Sequence, residues 1–199
     1  MKYVSIDIET AGLNKNTCQI LEIAAIHDDL STDKHSDNYF HCYISPRNGQ
    51  FYTGESRALE MNKELIDNIL LKKTDTPIYA EHDVPGKFKK WLVSLGYTRY
   101  GFIPAGKNVA SFDLPFIEQL PKYAEYWIVR KQRILDVGNL YVQPTDEVIP
   151  DLNECLRRAK INLETRHNGL DDALLNIKLI RHWALSWKIN KQNLSKLGT

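Results

Sequence analysis

Residues 1–14, MKYVSIDIETAGLN, hold the feature that most narrows the possible folds: Val4, Ile6 and Ile8 alternate with Ser5, Asp7 and Glu9. Side chains of a strand change face at every residue, so the pattern predicts a strand with one apolar face and two carboxylates on the other. Burying one carboxylate is costly and two side by side repel. A pair of this kind therefore needs solvent at a strand end, basic partners, or a bound cation. Thr10, Ala11 and Gly12 follow as a small-residue turn that allows another molecule's backbone to come close. A strand that delivers Asp and Glu to its own end and then breaks is suited to a hard metal ion.

Two more strand-length runs follow, 19–27 (QILEIAAIH) and 38–45 (NYFHCYIS), the latter closed by Pro46, Asn48 and Gly49. Polar turns between the three predict an antiparallel meander. The period then changes. Residues 55–71 suit one or two short helices, and Val84, Phe88, Trp91, Leu92 and Leu95 form one apolar helical face that Gly96 ends. A fourth strand is expected over 100–105, where Pro104 requires an edge position or a strand end. Ser111 is the expected cap of a helix over 112–120. A short fifth strand is expected over 134–137, then helices over 152–160 and 169 to about 187, with Asn168 capping the last.

With 199 residues, 43% of them hydrophobic and 26% charged, the chain is large enough for one well-cored domain and small for two. Strands first, then helix and strand in alternation, predict an α/β domain over 1–187. Its sheet is mixed and five-stranded, antiparallel in its first three strands and flanked by helices, and a polar tail over 188–199 follows. No apolar run is long enough to span a membrane, and the N-terminus lacks the apolar core of a signal peptide, so a cytoplasmic protein is expected. Cys18, Cys42 and Cys155 are widely spaced and read as reduced, packed thiols. A net charge of +1 excludes the broad basic surface of a duplex-wrapping protein but not an enzyme that grips one single-stranded end.

Two further acidic motifs give the first strand its meaning. Asp113 stands in GKNVASFD, at the start of a predicted helix, and Asp172 in HNGLDDAL, at the start of another. Helix dipoles favour carboxylates in first turns, so each alone is as consistent with structure as with function. Together with Asp7 and Glu9 they would place four oxygen ligands around one cleft if those ends converge.

DIETAGLN, GKNVASFD and HNGLDDAL, in that order and at those separations, resemble the three motifs of the DEDDh-type, DnaQ-like 3′-to-5′ exonucleases of the ribonuclease H-like superfamily. The resemblance runs from Met1 to about Trp187 and implies a ribonuclease H-like fold. It implies that Asp7, Glu9, Asp113 and Asp172 hold two Mg²⁺ or Mn²⁺ ions and that His167 is the general base. Asp171 is the alternative ligand, but the His-to-Asp spacing favours Asp172. It also implies that Thr10, through its backbone, and Leu13 lie against the terminal nucleotide, with Asn108 and Phe112 lining the same cleft. Relatives often carry Thr at the position of Ala11 and His at that of Lys107. Neither position is a ligand, so the departures bear on substrate contacts.

The residue types fit that chemistry. All-oxygen carboxylate sites suit Mg²⁺ or Mn²⁺, a pair of ions can clamp both oxygens of an in-line phosphodiester displacement, and His167 can accept a proton near neutral pH. His27, His35, His41, His82 and His182 lack metal-ligand spacing. The segment Pro121 to Arg133, which interleaves Tyr123, Tyr126 and Trp127 with Lys122, Arg130, Lys131 and Arg133, suits either a phosphate-backbone track or core and solvated rim. Arg157, Arg158, Lys160 and Arg166 add charge before His167.

The expected activity is release of 5′-mononucleotides from the 3′ end of single-stranded nucleic acid, DNA slightly favoured. An RNA-directed exoribonuclease or oligoribonuclease is the alternative. A non-catalytic nucleic-acid-binding module partnering a polymerase is the reading of another class; loss of a ligand would favour it, and none is missing. A homodimer through Trp183 and Trp187, or a polymerase or repair partner, is compatible with the sequence.

Overall fold

A computed structural model describes residues 1–98, 101–126, 132–162 and 168–197, with side chains given outside 126 and 188–197. Its strands are β1 (Lys2–Thr10), β2 (Ile20–Asp29), β3 (Tyr39–Ile44), β4 (Ile78–Tyr79), β5 (Pro104–Gly106) and β6 (Leu135–Asp136). They form one mixed sheet in the order β4-β3-β2-β1-β5-β6. As expected, β1, β2 and β3 are antiparallel neighbours; β4, β5 and β6 each join in parallel.

The sheet has six strands where five are expected from the sequence. The addition, β4, is two residues long and follows Pro77, too short to show any periodicity, yet it docks through Tyr43 N–H to the Pro77 carbonyl (2.9 Å). β5 begins at Pro104 and lies between β1 and β6, so Pro104 takes the strand-end position. Val4 N–H donates to the Ile103 carbonyl (2.9 Å), so the β1 ladder makes no use of the donor that proline lacks.

Helices α1 (Ser56–Met61) and α2 (Lys63–Leu70) divide the segment expected to hold one or two. α3 (Val84–Ser94), α4 (Asp113–Ile117), α5 (Tyr123–Tyr126), α6 (Val137–Leu140), α7 (Leu152–Ala159) and α8 (Gly169–Leu197) follow. Ser111 does not cap α4: its Oγ donates to the Asn108 carbonyl (3.1 Å), and Phe112 holds the cap position. Asn168 does cap α8, its Oδ1 accepting from Leu170 N–H (3.1 Å) and Asp171 N–H (3.3 Å). α8 continues past the expected end near Trp187 to Leu197, so the region expected to be a loose tail from Lys188 is helical that far.

Alternation in β1 separates two cores. Val4, Ile6 and Ile8 pack with Phe40, Phe88, Leu92 and Leu114 on the α3–α4 face, each such side chain contributing roughly 1.5–3 kcal/mol by burial. Tyr3, Ala24 and Ile26 pack with Ala173, Ile177 and Ile180 of α8 on the other. The face bearing Asp7 and Glu9 is thus covered by α8.

Candidate active site

β1 ends, β2 begins, and β3, β4, β5 and β6 end at the same edge of the sheet, because pairing alternates direction only through β2. At that edge the odd-numbered residues of β1 meet the first turn of α8. Ser5 Oγ donates to the Ala173 carbonyl (2.9 Å) and Asp172 N–H to the Asn168 carbonyl (3.0 Å), which fixes that turn beside β1. Asp7, Glu9 and Asp172 each bring one carboxylate oxygen within 4.8 Å of the others. Asp171, the alternative ligand, is exposed.

Asp113 arrives from the other side of β1. β5 pairs only with Val4 and Ser5, so further along β1 lacks a neighbour on that edge. There Ile8 N–H donates to Asp113 Oδ1 (3.1 Å), and Asp113 is 4% exposed. Burial is the largest influence on Asp7, Glu9 and Asp113. It holds Asp7 far above the usual carboxylate range, with Asp113, Asp172, Glu9 and Glu22 adding repulsion. Glu9 is raised to about 7 by burial, Glu22 and Asp172. Asp113 is raised to about 7 by burial, Glu9 and Asp136, against the lowering effect of the backbone N–H groups it accepts from.

Two acids at this edge were not singled out from the sequence. Glu22 is 2% exposed, stands directly across from Glu9 in the β1–β2 ladder, and contacts the His41 ring (2.7 Å). A Cβ on Gly169 would lie 3.1 Å from the Glu22 carboxyl carbon, so the start of α8 packs tightly over it. Asp136, at the end of β6, caps α6 by accepting from Gly138 N–H (2.9 Å). In sequence, Glu22 is a lone acid inside an apolar run; only the register reveals its place.

The residues expected to meet substrate divide. Leu13, 77% exposed, and Phe112, which directly precedes Asp113, line one cavity of about 590 Å³. Thr10 is buried and its Oγ1 donates to the Gly12 carbonyl (2.7 Å). Asn108 has a left-handed backbone (φ 56°) and its Oδ1 accepts from Lys107 Nζ (2.8 Å). Gly12 (φ 153°) is required by the chain itself, since a Cβ would meet Cys18 Sγ at 2.6 Å. His167 lies outside the described residues, as do 127–131 of the aromatic and basic segment.

A mixed sheet that gathers carboxylates at the end of its central strand is the arrangement that the resemblance to ribonuclease H-like nucleases implies. The exonuclease family model, RNase_T, matches residues 4–180, and the chain belongs to that family of 3′-to-5′ exonucleases. No curated protein matches the sequence. Among solved structures, E. coli Exonuclease I in complex with a dT13 oligonucleotide aligns with a TM-score of 0.64 and 15% identity over 90% of this chain. Cell-death related nuclease 4 aligns at 0.64 and 14% over 93%, and S. pombe Pop2p, in a Mg²⁺- and Mn²⁺-bound form, at 0.58 and 13% over 90%. The chain spans 40% of the Exonuclease I chain, 64% of the nuclease 4 chain and 81% of Pop2p. At these identities the likeness is one of fold. Among the described residues no helix is long and apolar enough to cross a membrane.

Proposed function

We propose that this chain hydrolyses the 3′-terminal phosphodiester bond of single-stranded nucleic acid, DNA slightly favoured, releasing 5′-mononucleotides. The observation that carries the reading is the convergence of Asp7, Glu9 and Asp172 within 4.8 Å, with Asp113 on the backbone of Ile8 beside them. Packed anionic oxygens of this kind fit hard divalent cations, and Mg²⁺ or Mn²⁺ is the choice their chemistry favours. Asp7, Glu9, Asp113 and Asp172 would hold the ions, which when bound supply the charge that activates water and stabilises a departing 3′-oxygen.

The chain's own groups do the rest. His167 takes the proton of the attacking water as its oxygen bonds to phosphorus. The bond to the penultimate 3′-oxygen then breaks, that oxygen takes a proton from solvent to become a 3′-hydroxyl, and the terminal nucleotide leaves with a 5′-phosphate. Leu13 and Phe112 offer apolar surfaces on which a terminal base stacks whatever its identity. The backbone at Thr10 and the side chain of Asn108 position the same nucleotide. The dT13 complex of Exonuclease I supports DNA as substrate.

The test is a gel assay on matched 5′-labelled DNA and RNA strands with Mg²⁺, Mn²⁺ or EDTA. A cation-dependent ladder shortening from the 3′ end, absent in Asp7→Ala, is expected, and the relative rates read the sugar preference. No cleavage of either strand would overturn the proposal. In His167→Ala, turnover should fall by roughly 10²- to 10⁴-fold with Mn²⁺ affinity retained; near-normal turnover would remove His167 from the mechanism.

A further inference from the structure

Three surface cavities follow one another along the active edge of the sheet. The first, about 590 Å³, holds Leu13 and Phe112 and is walled also by Lys15 and Asn16. The second, about 460 Å³, shares Lys15 and Asn16 and extends to Arg47, Glu81 and His82. The third, about 520 Å³, shares His82 and extends to Lys87, Lys89, Lys90 and Lys122. Neighbouring cavities share walls, and the row begins at Phe112, the residue before Asp113, and passes the ends of β3 and β4 to α3; we treat it as one groove.

Charge along the groove is uneven in a directed way. Its acids are engaged within the chain: Glu55 accepts from Leu13 N–H (3.1 Å), Glu81 from Arg47 Nε (2.8 Å) and Gln19 Nε2 (3.0 Å), and Asp83 faces His82 (3.6 Å). The far end is lysine-rich. Lys87 and Lys90, three residues apart on α3, are exposed on one side of that helix, while Val84, Phe88 and Leu92 bury the other in the main core. The basic face is therefore held on a rigid element.

We infer that this groove carries the single strand 5′-ward of the terminal nucleotide, stacking it at the Leu13–Phe112 end and holding its phosphates along α3. The inference rests on the exonuclease reading above, which fixes the 3′ end at the acids. A strand entering there must leave along the surface. The groove adjoins that point and ends in cations, as a polyanion requires.

The test pairs Lys87→Glu/Lys90→Glu with a control of equal charge change at the opposite edge of the sheet, Lys2→Glu/Lys34→Glu. Fluorescence anisotropy in EDTA measures affinity for a labelled oligo-dT strand of roughly 20 nucleotides, a length that exceeds one groove. The groove variant should bind about 10-fold or more weakly than the control, and its log–log salt slope should be shallower by about 1.4, for two lost phosphate contacts. In cleavage with Mn²⁺, KM for the long strand should rise far more than KM for a dinucleotide. Affinity and slope equal to the control, or no measurable binding by the unmodified chain, would overturn the inference. Binding without cleavage would instead overturn the exonuclease reading and leave the groove standing.

Discussion

The two ends of one sheet face solve the same problem in opposite ways. At one end, Asp28 of β2 is fully buried and meets a basic partner: Arg181 Nη2 and Nε donate to its oxygens at 2.7 and 2.9 Å, and the Tyr3 hydroxyl donates at 2.7 Å. At the other end of β1, β2 and α8, Asp7, Glu9, Glu22 and Asp172 face one another. Asp172 and Arg181 are nine residues apart on α8, roughly 13 Å along its axis. A buried acid given a guanidinium is a structural brace. Acids given one another hold their protons to higher pH, and form a site that a cation would relieve.

Breaking the brace should have the largest effect on stability. Arg181→Met leaves Asp28 without its compensating charge, and unfolding in urea should show a loss of roughly 3–5 kcal/mol. Exonuclease activity per folded molecule should persist, because Arg181 lies nine residues along α8 from Asp172. A loss under about 1 kcal/mol would mean that Asp28 is braced by Tyr3 and water instead.

The acidic end should respond to pH. A carboxyl group raised to about 7 in the folded chain, as Glu9 and Asp113 are, binds more protons folded than unfolded between its ordinary value and 7. Its contribution to metal-free stability therefore falls as pH rises through that window. His27, lowered by burial, acts against this in the acidic part of the window, so the gain on adding cation is the cleaner readout. The rise in Tm produced by saturating Mn²⁺ should be larger at pH 8 than at pH 5.5 by roughly 5 °C, equivalent to about 2 kcal/mol. A rise independent of pH would dissociate the cation from these acids. Asp7→Asn removes one charge from the crowd: metal-free stability should increase by about 1 kcal/mol while the Mn²⁺-induced rise disappears. Scanning calorimetry with and without EDTA decides both halves.

How much of this was legible in the sequence depends on range. Alternation in β1 displayed Asp7 and Glu9 directly, and the Asn168 cap and first-turn acid marked the start of α8, because such signals reside within a few residues. The Asp28–Arg181 brace joins positions 153 residues apart, beyond the reach of any local pattern. β4 exists only because β3 offers it an edge. α8 outruns Trp187 although its last residues are polar, since a helix already nucleated propagates without an apolar face.

Glu22 is the residue on which the contrast between the two ends turns, because it belongs partly to each. Like Asp28, it is buried and has a basic neighbour, His41 at 2.7 Å. Like Asp7, it adds negative potential to the cluster, and it is the strongest charge acting on Glu9. Replacing it with Gln keeps the volume beneath Gly169 and a polar contact for His41 while removing the charge. Repulsion on Glu9 and Asp7 then falls, their protons leave at lower pH, and cation binding extends to more acidic solution. The acid limb of a Mn²⁺ titration, followed by calorimetry across pH, should move down by about half a pH unit, worth under 1 kcal/mol. A limb that stays in place with the fold intact would make Glu22 a brace for His41 alone. Loss of Mn²⁺ binding at every pH would make it a ligand in its own right.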